Sequence, residues 1–138
     1  MADLVITAAN VAKGSGATTQ TLNAGVAITA GQLLYADITV TPNVWRLANA
    51  TTSGITGAIA AVALNPGAAG QPVVGLIGGL YTAGATLVVG QIYCLSSNGG
   101  NICPVSDVAA GWYSCVLGYA QTTTQINVKI SNSGVVHG

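Results

Sequence analysis

The clearest structural signal in the chain is Gln91-Ile92-Tyr93-Cys94-Leu95-Ser96-Ser97-Asn98-Gly99-Gly100-Asn101-Ile102-Cys103-Pro104-Val105. Two short apolar runs flank a polar turn, and its adjacent glycines supply the positive φ that a tight turn requires. The stretch therefore predicts a β-hairpin. With a four-residue loop over 97–100, Cys94 lies opposite Cys103, whereas a shift of one residue separates them, so the sequence allows a disulfide without requiring one.

Outward from this hairpin, the chain repeats the same pattern of short Val-, Ile- and Thr-rich runs punctuated by Gly, Asn and Pro. Such punctuation favours many short strands over long helices. The further predicted strands are 33–40, 43–47, 59–64, 72–77, 112–120 and 125–131. In the last of them Ile126, Val128 and Ile130 alternate with polar residues, as in a sheet with one buried face. We expect an all-β fold, a compact β-barrel or β-sandwich of short antiparallel strands.

The two halves of the chain show a faint internal similarity. Gly31-Gln32-Leu33-Leu34-Tyr35 aligns with Gly90-Gln91-Ile92-Tyr93-Cys94, and Val44-Trp45-Arg46-Leu47 aligns with Ile102-Cys103-Pro104-Val105. The order of hairpin, apolar strand, turn and final strand also repeats. This predicts two related β lobes within one domain rather than a solenoid, which needs about three repeats. Chance similarity of short motifs is the alternative. The β domain is placed at 31–131, with its repeats at 31–79 and 90–131.

The two ends of the chain differ from this β domain. Residues 1–30 include a small, polar stretch at 14–20 and only a few apolar residues before it, which favours an extended N-terminal arm that orders on a partner. A β-strand leading into a flexible loop is the alternative. Residues 132–138 are predicted to be a flexible tail. In the arm, the apolar side chains that could contact a partner are those of Leu4, Ile6 and Val11.

The composition points to assembly rather than to chemistry. The 138 residues include three basic and three acidic side chains, 4% charged residues in all, and the formal net charge is zero; soluble domains have about 25% charged residues. Nucleic-acid binding needs clustered Lys or Arg, whereas Lys13, Arg46 and Lys129 are far apart. A near-neutral chain is also weakly protected against self-association. We expect a homo-oligomer or a component of a larger particle, and no nucleic-acid partner.

The sequence also bears on location. Met1 to Ala9 lacks the basic and apolar regions of a secretory signal, so we expect synthesis and assembly in a cytoplasm. The longest apolar runs are far shorter than the about 20 residues of a membrane helix, and no membrane partner is expected. Cys94, Cys103 and Cys115 are an odd number of cysteines, which favours buried reduced thiols.

Groups that could support catalysis are few. His137 lies in a glycine-flanked tail where nothing would hold it as a general base. Asp3, Asp37 and Asp107 are isolated in sequence and suit exposed turn or capping roles, and the three cysteines lack the spacing of a zinc or redox site. We therefore expect no enzymatic activity, no metal and no cofactor.

Trp45 and Arg46 form the remaining candidate contact. Both residue types are enriched at the energetic centres of interfaces, so the pair is a candidate partner contact. The alternative places Trp45 at the edge of the core and leaves Arg46 exposed.

Four further segments together suggest a family. They are Ala30-Gly31-Gln32-Leu33-Leu34-Tyr35, Gly70-Gln71-Pro72-Val73-Val74, Gly90-Gln91-Ile92-Tyr93 and Leu117-Gly118-Tyr119-Ala120. Over about residues 25–131 the chain resembles the small capsid decoration (cement) proteins of tailed bacteriophages. The resemblance implies a virion protein that is made in the host cytoplasm, binds the outer capsid surface and reinforces contacts between capsid subunits. It implies the major capsid protein and other copies of the chain as partners, a trimer before a dimer. A phage tail or fibre component involved in host attachment is the alternative.

Overall fold

The computed structural model describes residues 3–51 and 59–136, the last five of these as backbone alone. Strands dominate the described residues, and the helical turns there are two 3-10 turns of three residues each, Ala8–Asn10 and Val105–Asp107. The predicted all-β class is confirmed. No helix in the described part of the chain has the length and hydropathy to cross a membrane.

Ten strands account for most of this structure. They are β1 (Ala12–Lys13), β2 (Thr18–Ala24), β3 (Leu33–Asp37), β4 (Val44–Leu47), β5 (Ala61–Ala63), β6 (Pro72–Thr82), β7 (Ile92–Leu95), β8 (Ile102–Pro104), β9 (Tyr113–Ala120) and β10 (Gln125–Val136). Their order in the sheet is β2-β4-β3-β5-β6-β10-β9-β7-β8, with β1 added on β6. Because β2 also pairs with β6, strands β2, β4, β3, β5 and β6 form a closed ring of pairings. Every pairing is antiparallel except that of β2 with β4.

The predicted hairpin is present as β7 and β8. Cys94 lies opposite Cys103, the register expected for a loop over 97–100. Both thiols and that of Cys115 are buried, and the described structure contains no disulfide among them. Burial raises the pKa of Cys94 and of Cys115 to about 11 and that of Cys103 to about 12. These thiols are therefore protonated, unreactive parts of the core at neutral pH.

Two strands extend beyond their predicted ends. β6 continues through Gly78 and Gly79 to Thr82; at Gly79, φ is +98° and a Cβ would overlap the backbone of residues 16 and 17. The glycine permits a close approach of two backbones there rather than ending the strand. β10 continues to Val136 and pairs Asn132 with Cys115, so the prediction of a flexible tail from residue 132 is wrong as far as residue 136.

Part of the predicted arm over 1–30 is instead built into the sheet as β1 and β2. β2 pairs with β6 from Thr18 to Asn23 and with β4 at Asn23 and Ala24. A strand is therefore present in this region, but it begins at Thr18 within the polar stretch rather than leading into a flexible loop, as the alternative had it. The exposed polar side chains of β2 resemble those of a solvated arm, but the backbone hydrogen bonds of the strand do not depend on side-chain polarity.

The two halves of the sheet have matching connections. β3, β4, β5 and the first part of β6 pair in the same pattern as β7, β8, β9 and β10. Gly31 and Gly90 both have positive φ and donate their N–H groups to Ala63 and Ala120, each at 2.8 Å. Ala36 and Leu95 occupy corresponding positions, and their partners on the next strand are Trp45 and Ile102. Trp45 therefore corresponds to Ile102, and the sequence alignment of Val44 with Ile102 is wrong by one residue.

Each half is called a unit here; the two units share a large core, and the first unit also has a smaller core of its own. The first unit comprises β2 to β5 and β6 up to residue 78, and the second unit comprises the rest of β6 and β7 to β10. The buried residues at corresponding positions are Ala24 and Ala83, Ile28 and Leu87, Leu34 and Tyr93, Trp45 and Ile102, and Ala63 and Ala120. The large aromatic side chain therefore occupies different positions in the two units. Trp45 of the first unit corresponds to Ile102, whereas Tyr93 of the second unit corresponds to Leu34.

Candidate functional site

The N-terminal segment completes the second unit and forms its most exposed apolar feature. In the first unit the Trp45 carbonyl accepts a hydrogen bond from Gly25, whereas in the second unit the corresponding Ile102 carbonyl accepts one from Leu4 at 2.8 Å. Thr7 donates to the Gly84 carbonyl at 2.7 Å. Residues 3–7, called the N-terminal ridge here, therefore lie between β8 and the residues that follow β6.

Side chains along the N-terminal ridge alternate between core and solvent. Leu4 and Ile6 are partly buried and pack against the core that the two units share. Val5, between them, is 88% exposed, more than any other large hydrophobic side chain that the structure describes. The alternation of an extended backbone thus directs Val5 outward while its two neighbours hold the segment on the core, so Val5 is accessible to a partner.

Two glycines make room for the N-terminal ridge. At Gly31 a Cβ would lie 2.8 Å from Ile6 Cγ2, and at Gly84 it would lie 2.5 Å from the Thr7 carbonyl oxygen. Both glycines have positive φ, which other residues rarely adopt. The position of the N-terminal ridge therefore depends on the absence of a side chain at Gly31 and Gly84 as well as on apolar packing.

Val5 stands between two open grooves. The first, called the threonine groove, has a volume of about 610 Å³, and none of the residues that line it is charged. Its lining consists of Val5, Thr7, Asn10, Thr82, Gly84, Ala85, Thr86 and Thr124. The second, called the tryptophan groove, has a volume of about 740 Å³ and is lined by Asp3, Leu4, Val5, Ser96, Ser97, Asn98, Ser106, Asp107 and Trp112. Hydroxyl and amide groups around one apolar side chain suit the surface of a protein partner.

Asp3 fixes the start of the N-terminal ridge by accepting hydrogen bonds. Its Oδ2 accepts from Asn98 Nδ2 at 2.8 Å and from Asn101 Nδ2 at 3.1 Å. Partial burial raises the pKa of Asp3, but hydrogen bonds from Asn98, Ser96 and Asn101 outweigh it, so the net pKa is below its ordinary value. At neutral pH this carboxylate is ionised and ties the ridge to the β7–β8 turn.

The partner contacts predicted from sequence are mostly in the core. Leu4 and Ile6 face inward, and Val11 is buried. Trp45 is 1% exposed, and its Nε1–H donates to the Val73 carbonyl at 3.0 Å. The core interpretation of Trp45 is therefore the correct one, because a partner cannot reach its indole in the folded chain. Val5, which the sequence analysis did not select, is the accessible member of this segment.

Arg46 is partly exposed and holds the turn between β3 and β4. Its Nε donates to Asp37 Oδ2 at 2.7 Å, and the other oxygen of Asp37 accepts from the backbone N–H and the hydroxyl of Thr39. The hydrogen bonds from Thr39, and then the one from Arg46 with its charge, lower the pKa of Asp37 to about 2. Asp37 thus has the predicted turn role, but it is buried rather than exposed, because Arg46 and Thr39 cover its carboxylate.

This arrangement predicts a loss of stability in acid. Because the pKa of Asp37 is lower in the folded chain than the ordinary value of about 4, its stabilising contribution is complete above about pH 4 and is lost as the pH falls towards about 2. Urea unfolding at a series of pH values should show the midpoint falling in that window, and falling less in Asp37→Asn. If the urea midpoint falls equally with pH in the wild type and in Asp37→Asn, this role of Asp37 is contradicted.

Asp3 and Asp107 line the tryptophan groove together, and the three cysteines lie in the core. The described residues contain no group of three His, Cys, Asp or Glu side chains placed to hold a metal ion. His137 lies outside the described residues. The Tyr81 hydroxyl is buried in the shared core with no hydrogen-bond partner, and burial raises its pKa; an apolar environment of this kind keeps the phenol neutral.

Comparison with known proteins gives no assignment: no protein-family model, curated protein or solved structure matches this chain.

Proposed function

We propose that this chain is a structural virion protein that binds the outer surface of a phage capsid and stabilises it by bridging capsid subunits. The observation that supports this most directly is Val5, which is 88% exposed on the N-terminal ridge between two grooves rich in hydroxyl and amide groups. An apolar centre with a polar rim is the usual anatomy of a protein-binding surface. The likeness to decoration proteins supplies the identity of the partner, the major capsid protein.

The low charge of the chain suits this role. Contacts between nearly uncharged surfaces gain little from long-range attraction and lose little when salt screens it. A protein that binds the assembled shell more tightly than its separate subunits stabilises the shell by mass action. Several copies held together would add avidity, so that one modest contact per copy suffices.

Binding to heads that lack the protein tests this proposal. Wild-type protein should bind purified heads at a fixed stoichiometry, raise their disruption temperature, and do so nearly equally at low and high salt. Val5→Asp should weaken binding at least about tenfold, because a charge would be buried in an apolar contact. Ala69→Asp places the same charge on an exposed turn of the first unit and should bind as the wild type does.

Two outcomes would contradict the proposal. If wild-type protein does not bind heads, capsid decoration is wrong. If Val5→Asp binds as tightly as Ala69→Asp, the N-terminal ridge is not the capsid contact.

The tryptophan groove supports a second candidate, a tail or fibre component involved in host attachment. Trp112 lies there beside Asp3, Asp107 and Asn98, and an aromatic side chain with carboxylate and amide groups is suited to a polar ligand that has one apolar face, such as a saccharide. Binding of the purified protein to host cells, lost in Trp112→Ala and absent with heads, would favour this function over decoration.

A further inference from the structure

The β7–β8 turn contains Asn98-Gly99, the one place in the sequence where glycine follows asparagine. Both residues are exposed. The Asn101 N–H donates to the Asn98 carbonyl at 3.0 Å, and Gly100, with φ of +77°, completes the turn. Because glycine has no Cβ, its backbone nitrogen meets less hindrance than that of any other residue when it approaches a neighbouring group. Of the asparagines in this chain, Asn98 is therefore the one whose side-chain amide is least shielded from the next backbone nitrogen.

Attack of the Gly99 nitrogen on Cγ of Asn98 converts the amide into an acid without an enzyme or a cofactor. The nitrogen forms a bond to Cγ, the bond between Cγ and Nδ2 breaks, and the proton of the Gly99 N–H leaves with Nδ2 as part of ammonia. Water then opens the resulting cyclic imide. Addition at Cγ yields aspartate, and addition at the backbone carbonyl carbon yields isoaspartate. In both products a negatively charged carboxylate replaces a neutral amide.

The amide that would be lost is one that holds the N-terminal ridge. Asn98 Nδ2 donates to Asp3 Oδ2 at 2.8 Å, and Asn101 Nδ2 donates to the same oxygen at 3.1 Å. Conversion removes the first of these donors and places two carboxylates side by side, where like charges repel. Asp107 also lines the tryptophan groove around them, and none of the lining residues is basic. The groove therefore offers no cation among its lining residues to offset the new charge.

We propose that Asn98 is a site of spontaneous deamidation and that its conversion loosens the N-terminal ridge. Asp3 begins the ridge, and the next residue, Leu4, makes the hydrogen bond to β8, so the anchor lies directly beside the docked backbone. The Asn101 amide still donates to Asp3, so the ridge is loosened rather than lost. Because ammonia leaves, newly made protein has a docked ridge and aged protein a loosened one. A consequence for capsid binding rests on the proposed function, whereas the modification and the loosening do not.

Ageing the purified full-length protein at physiological temperature and neutral pH tests the site. Mass spectrometry of peptides that span the turn should show the acid accumulating at position 98, as aspartate and isoaspartate. Gly99→Ala is the matched variant, because the φ of Gly99 is not positive and a Cβ there would lie 3.9 Å from its nearest neighbour. The fold accepts this methyl group, which hinders the attack, so the variant should keep its amide over the same period. Retention of the amide in the wild type, or equal conversion in Gly99→Ala, would overturn the assignment of the site.

Hydrogen exchange tests the loosening with a variant that fixes the product. In Asn98→Asp the amide of Leu4 should exchange at least about tenfold faster than in the wild type, the effect of losing one hydrogen bond to a charged group. Asn127→Asp is the control for added charge. Its Nδ2 donates to the Tyr119 hydroxyl and to Gln121 Oε1 rather than to a carboxylate, so this variant should leave the Leu4 amide as protected as in the wild type.

A double variant separates charge repulsion from a general effect of substitution in the turn. Asp3→Asn combined with Asn98→Asp exchanges the amide and the carboxylate, so the hydrogen bond can form in the opposite direction and protection of Leu4 should return to near the wild-type value. Unchanged protection in Asn98→Asp alone, or a double variant as loose as the single one, would overturn the loosening.

Heads extend the test to the proposed function. Aged wild-type protein should bind them more weakly than equally aged Gly99→Ala, and equal binding would overturn the link between the modification and capsid contact. If fresh wild-type protein does not bind heads, the proposed function fails, while the modification and the loosening are still decided by the mass and exchange measurements.

Discussion

Replacing Trp45 with alanine should lower the free energy of unfolding by about 3–5 kcal/mol, the usual cost of removing a large buried aromatic side chain. Trp45 is 1% exposed and occupies the core of the first unit with Leu34, Ala61 and Val73. Its removal leaves a cavity and takes the indole donor away from the Val73 carbonyl. Urea unfolding followed by circular dichroism measures the effect, with Trp112→Ala, at the partly exposed tryptophan, as the control that should lose less.

Gly75 provides an independent check on this packing. A Cβ on Gly75 would lie 2.8 Å from Trp45 Cζ2 and 2.8 Å from Ala61 Cβ. Gly75→Ala should therefore destabilise the wild-type chain more than it destabilises Trp45→Ala, where half of the conflict is gone. A double-mutant cycle should give a coupling of about 0.5–3 kcal/mol. The importance of the indole for this core would be contradicted if the effects of the two substitutions on the free energy of unfolding simply add. It would also be contradicted if Trp45→Ala lowers that free energy by less than about 1 kcal/mol.

The sequence was sufficient for the elements whose signal is local. The hairpin of β7 and β8, including its register, follows from a glycine-containing turn between two apolar runs. The all-β class follows from many such turns. Each of these predictions depends on residues that are neighbours in the chain, so no knowledge of distant contacts was needed.

Features that depend on distant contacts were predicted less well. β2 looks like a solvated segment because most of its side chains are exposed, and only its pairing with β6 shows that it is a strand. Gly79 looks like the end of a strand until the backbone of residues 16 and 17 is placed beside it. Trp45 and Arg46 are adjacent, yet one faces the core and the other faces Asp37, since successive side chains of a strand point to opposite sides.

The candidate site was found only in part for the same reason. Leu4 and Ile6 were selected because they are apolar, but apolar residues of an extended segment alternate between core and solvent, and the alternation places Val5 outward. Composition indicates how many apolar groups a segment has. It does not indicate which of them the neighbouring strands leave uncovered.

Replacing Gly84 with alanine should release the N-terminal ridge while the rest of the fold persists. Gly84 has φ of +72°, and its new Cβ would lie 2.5 Å from the Thr7 carbonyl oxygen, so the segment must move away and lose the hydrogen bond from Thr7 to Gly84. Hydrogen exchange should show the amides of Leu4 and Thr7, which donate to the Ile102 and Gly84 carbonyls, losing most of their protection, by about a hundredfold or more, as expected for local unfolding of a segment with few backbone bonds.

Gly16→Ala is the matched control for this variant. Gly16 has nearly the same φ, +70°, and a Cβ there would have no neighbour within 4 Å, so both variants incur the same backbone cost of about 1–2 kcal/mol. They should unfold at similar urea concentrations, but only Gly84→Ala should lose the protection of the ridge and, with it, binding to heads. If Gly84→Ala binds heads as well as Gly16→Ala does, capsid binding does not require a docked ridge. If both lose binding equally, the effect is one of global stability, and the separation of the ridge from the rest of the fold is wrong.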